Sequence, residues 1–588
     1  MKLYKLSLAL FLGLGAMSMT SCEDKLEVTN PNEQTTGTFG FTSDDLEECV
    51  IAAYHDLRME GSTGRVGYTI DAVRGDEVWN ASQVWYMPFD DMNDPVTDEI
   101  SFWPWREYYY AINVCNFILS RTTGDNAQLS ESMKRIKGQA LFIRGFAYYN
   151  LVGYYKDVPL ITDYSTYSSL DGLYGANNTS DEVLDQAEKD LKEAMELLPS
   201  RQAGGEWSKG RATCGAAAGY YARTLMFRHK YSEALDVLKD IIGGTKYGKY
   251  KLMANYGDNF REGSAYENND ESLFEVQYLD YGTQGVDDEW TPVNVSPNAT
   301  QGHAVESNFA PGDFGGWADL SASPWLYNLF KEERTTAGKL DPRLYWTLGT
   351  YEKEWEGFEN GNVAYTKKIT ATDTLRTNNN YGGIPIAKWT NMRTGLYSSV
   401  ATGLRCGINL RMMRYSDVLL RAAECENEVN GPTEQAIKWI NEVRQRAGLA
   451  DLKLENFNTK DKLFEQIANV ERPKEFGCEN GRGMDLIRWG FFYDNGRLDQ
   501  LKEHGTFYKN KTIDVKTPVT YAQTKTDPEN VKSSYDTYSP GHEFLPIFQT
   551  LLNNNPNLKG NSANDGIDNS TDFFGRGWTV HPVVDLSK

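Results

Sequence analysis

Residues 415–447 read YSDVLLRAAECENEVNGPTEQAIKWINEVRQRA, and they predict two consecutive helices joined by a tight turn. Apolar side chains recur at helical spacing on both sides of Asn430-Gly431-Pro432. Glycine often ends a helix and proline often begins the next one, so we predict helices over Tyr415–Val429 and from Pro432 to Ala447. A pair of this kind buries its apolar faces by stacking on other pairs.

Similar helical patterns occur elsewhere in the chain. Thr179 and Glu182 form a capping box that predicts the start of one helix, which Pro199 ends. The segment 225–242, LMFRHKYSEALDVLKDII, has the order of large and small side chains that is typical of a tetratricopeptide repeat, with generic helical hairpins as the alternative. The chain is therefore predicted to be mainly α, with further helices over Trp105–Leu119, Ile136–Tyr155, Thr179–Leu198, Arg211–Arg228, Ser232–Ile242 and Lys460–Phe476.

Between residues 247 and 409 this periodicity is lost, and Gly, Asn, Asp, Pro and Trp dominate. Ser272–Tyr278 and Ile384–Trp389 read as short extended pieces, and Pro324–Glu333 reads as a helix. A loop-rich insert of this size on a helical scaffold is where binding function tends to lie. We predict one domain over residues 41–588, with a scaffold of residues 41–246 and 410–480, the insert 247–409 and an irregular region 481–588.

The first residues have the layout of an export signal. Two lysines precede an apolar run over Leu6–Met19, which is typical of a signal peptide rather than of a membrane-spanning helix. Small residues lie directly before Cys22, which indicates a bacterial lipobox; an ordinary signal with a chance cysteine is the alternative. We predict a signal peptide over residues 1–21, a lipid on Cys22 and a flexible tether over residues 22–40, with the lipid as the membrane anchor.

Charge and composition exclude several classes of function. The formal net charge is −22, and removal of the two signal lysines leaves −24, so nucleic acid is not an expected partner. The seven cysteines form no CxxC pair and the six histidines no HExxH motif, so we predict no metal site and no cofactor. Cys115, Cys214 and Cys425 lie within apolar helical patterns and are expected to be buried free thiols; disulfides are the alternative.

Aromatic residues make up 13% of the chain, including 14 Trp and 35 Tyr, and this excess indicates rings used for contact. A sugar has C–H faces and hydroxyl edges, so its site needs flat rings flanked by Asn, Asp, Gln or Arg. Two stretches, 76–91 and 281–325, have that composition; for each tryptophan the alternative is a core ring beneath a loop. The candidate ligand-binding residues are Asp76, Trp79, Asn80, Trp85, Tyr86, Tyr281, Trp290 and Trp317.

Five blocks follow one another along the chain: ALFIRGFAYYNLVGYYKDVPL (140–160), LRMMRYSDVLLR (410–421), INEVRQRAGL (440–449), ERPKEF (471–476) and GRGMDLIRWG (481–490). Their residues and their order resemble the SusD/RagB family of outer-membrane nutrient-binding lipoproteins. The resemblance implies a SusD-like fold of tetratricopeptide-type repeats, display on the outer face of the outer membrane and a SusC-like TonB-dependent transporter as partner. It also implies a non-catalytic protein that captures oligosaccharide and delivers it to that transporter.

The resemblance leaves the class of ligand open, because RagB-type members bind peptides and oligopeptide is therefore the alternative. A glycosidase would need two carboxylates at a defined separation, and no pair in the sequence is recognisably placed for that chemistry. We therefore predict that the chain is not an enzyme. A purely structural repeat scaffold is a further alternative, against which the aromatic-rich insert argues.

Charged residues are dense within the apolar helices of these blocks. We interpret them as buried or half-buried ion pairs that hold the helices together, and not as catalytic acids. They are Asp417, Glu424, Arg444, Arg446, Glu471, Arg472, Glu475, Arg482, Asp485 and Arg488. Pro473 predicts a kink or a helix start within its block, and residues 560–588 are expected to form a solvated tail.

Overall fold

The computed structural model of the chain describes residues 42–80, 83–169, 172, 174–279, 302–355, 374–375, 384–393, 406–508, 513–514 and 531–587. Helices dominate them, as the sequence predicts. The helices before the insert are α1 (Ser43–Leu57), α2 (Arg65–Val73), α3 (Met87–Asp90), α4 (Trp103–Arg121), α5 (Glu131–Tyr155), α6 (Ser180–Leu197), α7 (Arg201–Gly204), α8 (Cys214–Phe227) and α9 (Tyr231–Gly243). The later helices are α10 (Val305–Phe309), α11 (Pro324–Lys331), α12 (Pro342–Thr347), α13 (Tyr415–Asn430), α14 (Glu434–Arg446), α15 (Lys460–Gln466), α16 (Arg472–Phe476), α17 (Arg482–Arg488), α18 (Asn495–His504), α19 (Gln549–Asn554), α20 (Ser562–Asp565) and α21 (Ser570–Gly575).

The long helices pack in a row that follows the chain. Helix α1 packs on α4, α4 on α5, α5 on α6, α6 on α8 and α8 on α9. The row continues from α9 directly to α13 and then to α14, so the insert leaves the row and returns to it. This is the stacking expected of tetratricopeptide-type pairs.

The caps confirm one predicted helix start and correct another. Thr179 and Glu182 form the predicted capping box at the start of α6. Helix α14 begins at Glu434 and not at Pro432, because the Thr433 side chain caps it by accepting the Ala436 N–H.

Within the described residues, the strands form antiparallel pairs of two. They are β1 (Val78–Asn80) with β3 (Leu320–Ala322), β2 (Ser272–Val276) with β5 (Leu410–Arg414), β4 (Thr374–Leu375) with β7 (Ile513–Asp514), and β6 (Thr506–Tyr508) with β8 (Val531–Ser533). The pair β2–β5 joins the two ends of the insert beside the helical row. The extended piece predicted over Ile384–Trp389 is shorter than expected: Ile384 and Ile386 make isolated antiparallel bridges to Ala322 and Leu348, and a turn follows at residues 388–389.

The helix predicted over Lys460–Phe476 contains a wider turn. Helix α15 continues into a π-helical segment, Ile467–Glu471, and this leads directly into α16. Pro473 is the second residue of α16 and has no N–H to donate. We attribute the wide turn to Pro473, because its ring would collide with the preceding turn of a regular α-helix.

A cluster of buried ion pairs holds α8, α13, α16 and α17 together, as the sequence predicts. Arg223, Arg421 and Arg472 all donate hydrogen bonds to Asp417 at 2.7–3.1 Å. Arg421, Arg472 and Arg488 donate to Asp485 at 2.6–3.2 Å. Burial alone would raise the pKa of Asp417, but the three guanidinium groups hold it well below its usual range. We call these six residues the arginine cluster.

The remaining predicted ion pairs are also buried. Arg488 meets Glu424, Arg444 meets Glu471, Arg446 meets Glu475, and Arg482 meets Asp76. Cys115, Cys214 and Cys425 are buried free thiols, as predicted. Among the described helices, none combines the length and the apolar character that a membrane crossing requires.

The tail after residue 560 is solvated only in part, because many of its residues are exposed but others pack on the fold. Helices α20 and α21 lie in this part of the chain, and Phe573 is buried. His581 contacts Glu428 of α13 and Asp461 of α15. The tail is polar in composition, and composition alone cannot show that its few rings pack against residues elsewhere in the chain.

Candidate ligand-binding site

A short strand pair brings the two predicted aromatic stretches together. Across β1 and β3, Trp79 is the partner of Ser321 and Asn80 is the partner of Leu320. The Ser323 N–H extends the pairing by donating to the Glu77 carbonyl at 2.8 Å. Part of the stretch 76–91 therefore lies beside the end of the stretch 281–325, although the two are far apart in the chain.

Arg65, at the first position of α2, lies between two of the predicted rings. Its guanidinium carbon is over the Trp85 ring at 5.1 Å from the centroid and over the Trp317 ring at 5.3 Å. Contacts of this length attract the guanidinium to both rings. Arg65 is buried, whereas Trp85 and Trp317 are half-buried. We call these three residues the tryptophan–arginine stack.

The core holds Trp85 in place through its neighbour Tyr86. The two rings stack with their centroids 4.0 Å apart. The Tyr86 hydroxyl lies 2.5 Å from the hydroxyl of Thr69 and accepts a hydrogen bond from the Asn308 side chain at 2.8 Å. Burial raises the pKa of Tyr86 above its usual range, so this hydroxyl stays neutral. Tyr86 thus ties Trp85 both to α2 and to α10 of the insert.

A tight turn after α10 positions Trp317. The Trp317 N–H donates to the Ser307 carbonyl at 2.6 Å, and the Ala318 N–H donates to the Ala310 carbonyl at 2.9 Å. Ala318 has a φ of 50°, which is uncommon for a residue with a Cβ. At Gly316 a Cβ would collide with the Ala310 carbonyl, so the turn needs glycine there. The turn therefore fixes the backbone from which the Trp317 ring extends.

The surface around the stack is mixed in character. Val84 is 74% exposed and Met87 is 43% exposed on either side of Trp85. The Asn80 side chain donates to the Gln83 carbonyl at 2.7 Å and accepts the Gln83 N–H at 2.9 Å, which leaves the half-buried Gln83 amide at this surface. Rings, apolar side chains and an amide together suit a ligand with C–H faces and polar edges. In the part of the chain that the structure describes, no group of three or more His, Cys, Asp or Glu side chains could hold a metal.

Three of the predicted site residues are enclosed in the core. Arg482 donates two hydrogen bonds to the Asp76 carboxylate at 2.7 and 2.8 Å, and His504 approaches it at 2.8 Å. Burial opposes ionisation, but Arg482 and His504 hold the pKa of Asp76 well below its usual range. Trp79 stacks on Phe507 at 4.1 Å and is 1% exposed, and Tyr86 is also buried.

These contacts correct the interpretation of Asp76, Trp79 and Tyr86 as direct ligand contacts. The sequence could not show this, because the partners Arg482, His504 and Phe507 come more than 400 residues later. Asn80 is also buried and acts through Gln83. Tyr281 and Trp290 lie outside the described residues.

Arg65 is the residue that sequence reasoning missed. It lies in the stretch GSTGRVGYT, 61–69, which has no aromatic cluster and no motif. A local partner is Glu60, 3.5 Å from the Arg65 Nε, but the rings that it contacts come from two other segments, so the sequence gives no sign of them. Val84 lies inside the predicted stretch 76–91 but is not among the candidate residues.

Two family models match the chain. Residues 270–565 match the model described as the SusD family, and residues 24–226 match the model described as starch-binding associating with outer membrane. The chain belongs to the SusD family. This confirms the resemblance read from the blocks at 140–160 and 410–490.

Relatives of this SusD-family chain match over most of their length. SusD-like protein P25 of Formosa agariphila is 25% identical over 513 residues, which is 81% of this chain and 88% of that protein. A SusD superfamily protein from Bacteroides vulgatus shares 24% identity with a TM-score of 0.68, over 90% of this chain and 100% of that chain. Surface glycan-binding protein A from Bacteroides thetaiotaomicron, in complex with laminarihexaose, shares 22% identity with a TM-score of 0.62, over 88% and 99% of the two chains. These structures confirm the predicted SusD-like helical fold.

Proposed function

We propose that this chain is a non-catalytic glycan-binding lipoprotein of the cell surface and that the tryptophan–arginine stack is its ligand platform. The observation that carries the proposal is that Trp85 and Trp317, from two distant segments, meet over one buried guanidinium. Both rings keep an accessible part, and such a ring suits the C–H face of a sugar. The relative whose structure contains laminarihexaose supports this class of ligand.

The binding test is calorimetry of the soluble chain without residues 1–22 against a panel of oligosaccharides that includes laminarihexaose. We expect Trp317→Ala to weaken binding of the best glycan about five- to thirtyfold, since a ring contact is worth about 1–2 kcal/mol. Trp207→Ala is the matched control, because Trp207 is also half-buried beside arginines, with Arg135 and Arg211 at 5.0 and 5.4 Å. Equal affinities for wild type and Trp317→Ala would contradict the platform.

The same screen separates the alternatives. A pool of oligopeptides that binds when no glycan does would assign the platform to peptide. Release of reducing sugar by the pure protein would show catalysis and contradict the non-catalytic part of the proposal.

We further propose that a lipid on Cys22 holds the protein on the outer face of the outer membrane, where it delivers its ligand to a SusC-like TonB-dependent transporter. A multiply acylated cysteine anchors a protein without a spanning helix. Cys22→Ala should move the protein from the membrane fraction to the soluble fraction and abolish labelling with a clickable fatty acid. Affinity purification of the wild-type chain from detergent should recover the transporter, and its absence would contradict delivery.

A further inference from the structure

Residues 566–587 lie beyond the SusD family model, which ends at residue 565. We call this segment the strap. It begins around α21, where Phe573 is buried, and then crosses the ends of α13, α15 and α18. Near its start, Asp572 pairs with Lys156 and Arg576 pairs with Asp181. Two histidine contacts, one on the strap and one beneath it, hold its later part to the scaffold.

His581 lies between two carboxylates. Its Nδ1 is 2.7 Å from an Asp461 oxygen, and its Nε2 is 2.6 Å from a Glu428 oxygen. Carboxylate oxygens accept hydrogen bonds, so both bonds form only when both ring nitrogens carry a proton. A neutral imidazole has one N–H and leaves one carboxylate facing a lone pair. The geometry therefore selects the imidazolium form.

The backbone around His581 is clamped as well. Arg497 is fully buried and donates to the carbonyls of His581 and Pro582 at 2.7 and 2.9 Å. Phe464 stacks on the imidazole with ring centroids 4.1 Å apart. Loss of the imidazolium would thus loosen a segment that covers an apolar ring.

The second contact is a stack of Trp578 on His229. The ring centroids are 4.0 Å apart and the planes differ by 4°. His229 Nε2 donates to the Arg488 carbonyl at 2.7 Å, which requires only a neutral imidazole. Trp578 and Phe573 also line a small cleft with Leu184, Phe227 and Ile487.

We propose that the strap is a proton-gated cover over this cleft, docked while His581 carries two ring protons and released when it loses one. The charged groups around His581 are Glu428 on α13, Asp461 on α15 and Arg497 on α18, with Glu465 paired to Arg497 and Lys460 donating to the Glu428 carbonyl. Those acting on His229 are Arg488, Glu424 and His581 itself. Two carboxylates face the His581 ring and one guanidinium, that of Arg497, faces its backbone, so the charges around the ring favour the imidazolium form.

The contacts of the two histidines weaken at opposite ends of the pH range. Burial would lower the pKa of His581, but Glu428 and Asp461 outweigh it and raise the pKa above the usual value of 6.5. The clamp therefore contributes fully below pH 6.5 and is lost as the pH rises through the higher folded value. Burial lowers the pKa of His229 to about 4, so its contribution is present above pH 6.5 and declines as the pH falls toward 4. Docking should be tightest near pH 6.5.

The test is hydroxyl-radical footprinting of the full mature chain between pH 6.5 and 9, read by mass spectrometry. Phe464 lies under His581 and Trp578 lies on the strap, so we expect the labelling of both to rise at least threefold across this range. Trp439, which is buried in α14, is the internal standard. Constant labelling of Phe464 and Trp578 relative to Trp439 would overturn the proposal.

Three variants assign the transition. Asp461→Asn removes one carboxylate and should move the midpoint to lower pH, or leave the strap open at pH 6.5; an unmoved midpoint overturns the proposal. Glu434→Gln, at an exposed acid on α14, is the matched control and should leave the midpoint unchanged. His229→Phe keeps a ring against Trp578, so the alkaline midpoint should persist. Loss of that midpoint would assign the switch to His229 and overturn the role of His581.

Discussion

Arginine has two different roles in two regions of this molecule. In the arginine cluster, the guanidinium groups are enclosed and meet the carboxylates of Asp417 and Asp485 at 2.6–3.2 Å. In the tryptophan–arginine stack, Arg65 is enclosed as well, with the Glu60 carboxylate at 3.5 Å, but it lies against two rings that remain half-buried. A buried arginine surrounded by carboxylates holds helices together, whereas a buried arginine behind accessible rings supports a surface suited to a ligand.

The largest expected effect comes from breaking the arginine cluster. Asp417→Ala leaves Arg223, Arg421 and Arg472 without their shared carboxylate, and removal of one partner of a buried pair costs about 3–5 kcal/mol. Urea unfolding should show this loss of stability. Glycan affinity, measured where the variant is still folded, should change by less than twofold. A large loss of affinity in the folded variant would remove the distinction between the two regions.

An intermediate effect is expected at Arg65. Arg65→Met keeps an apolar stem but removes the planar cation, so the rings lose a fixed spacer and glycan affinity should fall about three- to tenfold. The free energy of unfolding should fall by less than about 2 kcal/mol. Arg65→Lys keeps the charge without the plane and should lie between wild type and Arg65→Met. Arg135→Met, beside Trp207, is the control and should leave affinity unchanged.

The last effect concerns Glu77, which lies between the two regions. Its backbone carbonyl accepts from Ser323 beside the stack, and its carboxyl lies 4.0 Å from Arg482. Burial outweighs Arg482 and raises the pKa of Glu77 to about 8. The unfolded chain ionises near pH 4.5, so the stability contributed by neutral Glu77 is present below that pH and is lost as the pH rises toward 8.

Glu77→Gln cannot ionise and should therefore not share the loss of stability that wild type shows between pH 4.5 and pH 8. Relative to wild type, the variant should gain stability across this range, as measured by urea unfolding. Glu434→Gln, at an exposed position, should show no such dependence. A Glu77→Gln variant that is less stable at pH 8 than at pH 5, relative to wild type, would show that Glu77 is ionised in the fold.

Much of the scaffold could be predicted from local patterns. The turn at Asn430-Gly431 and the capping box at Thr179 are short-range signals, because the chemistry of a helix end depends on residues three or four positions apart. The π-helical turn before Pro473 and the packed strap were beyond such reasoning. The π-helical turn arises because a helix continues through a proline. The packing of the strap depends on ring contacts with residues that are distant in the sequence.

The candidate site also combines features that the sequence predicted with features that it could not predict. The composition of 76–91 and 281–325 marked both stretches, and Trp85 and Trp317 lie at one surface. Asp76 and Trp79 come from the same stretch and are enclosed, because Arg482 pairs with Asp76 and Phe507 stacks on Trp79. Composition cannot distinguish a ring that faces outward from a ring that faces the core.

By itself, the sequence determined a helical scaffold with a loop-rich insert, the charges that pair within it and the two stretches rich in rings. These follow from spacing and residue type, which act over a few positions. The tertiary structure alone decided that Arg65 backs Trp85 and Trp317, that Asp76 belongs to Arg482 and that His581 lies between Glu428 and Asp461. Each of these contacts joins segments that meet only when the register of β1 with β3 and the order of the helical row are in place.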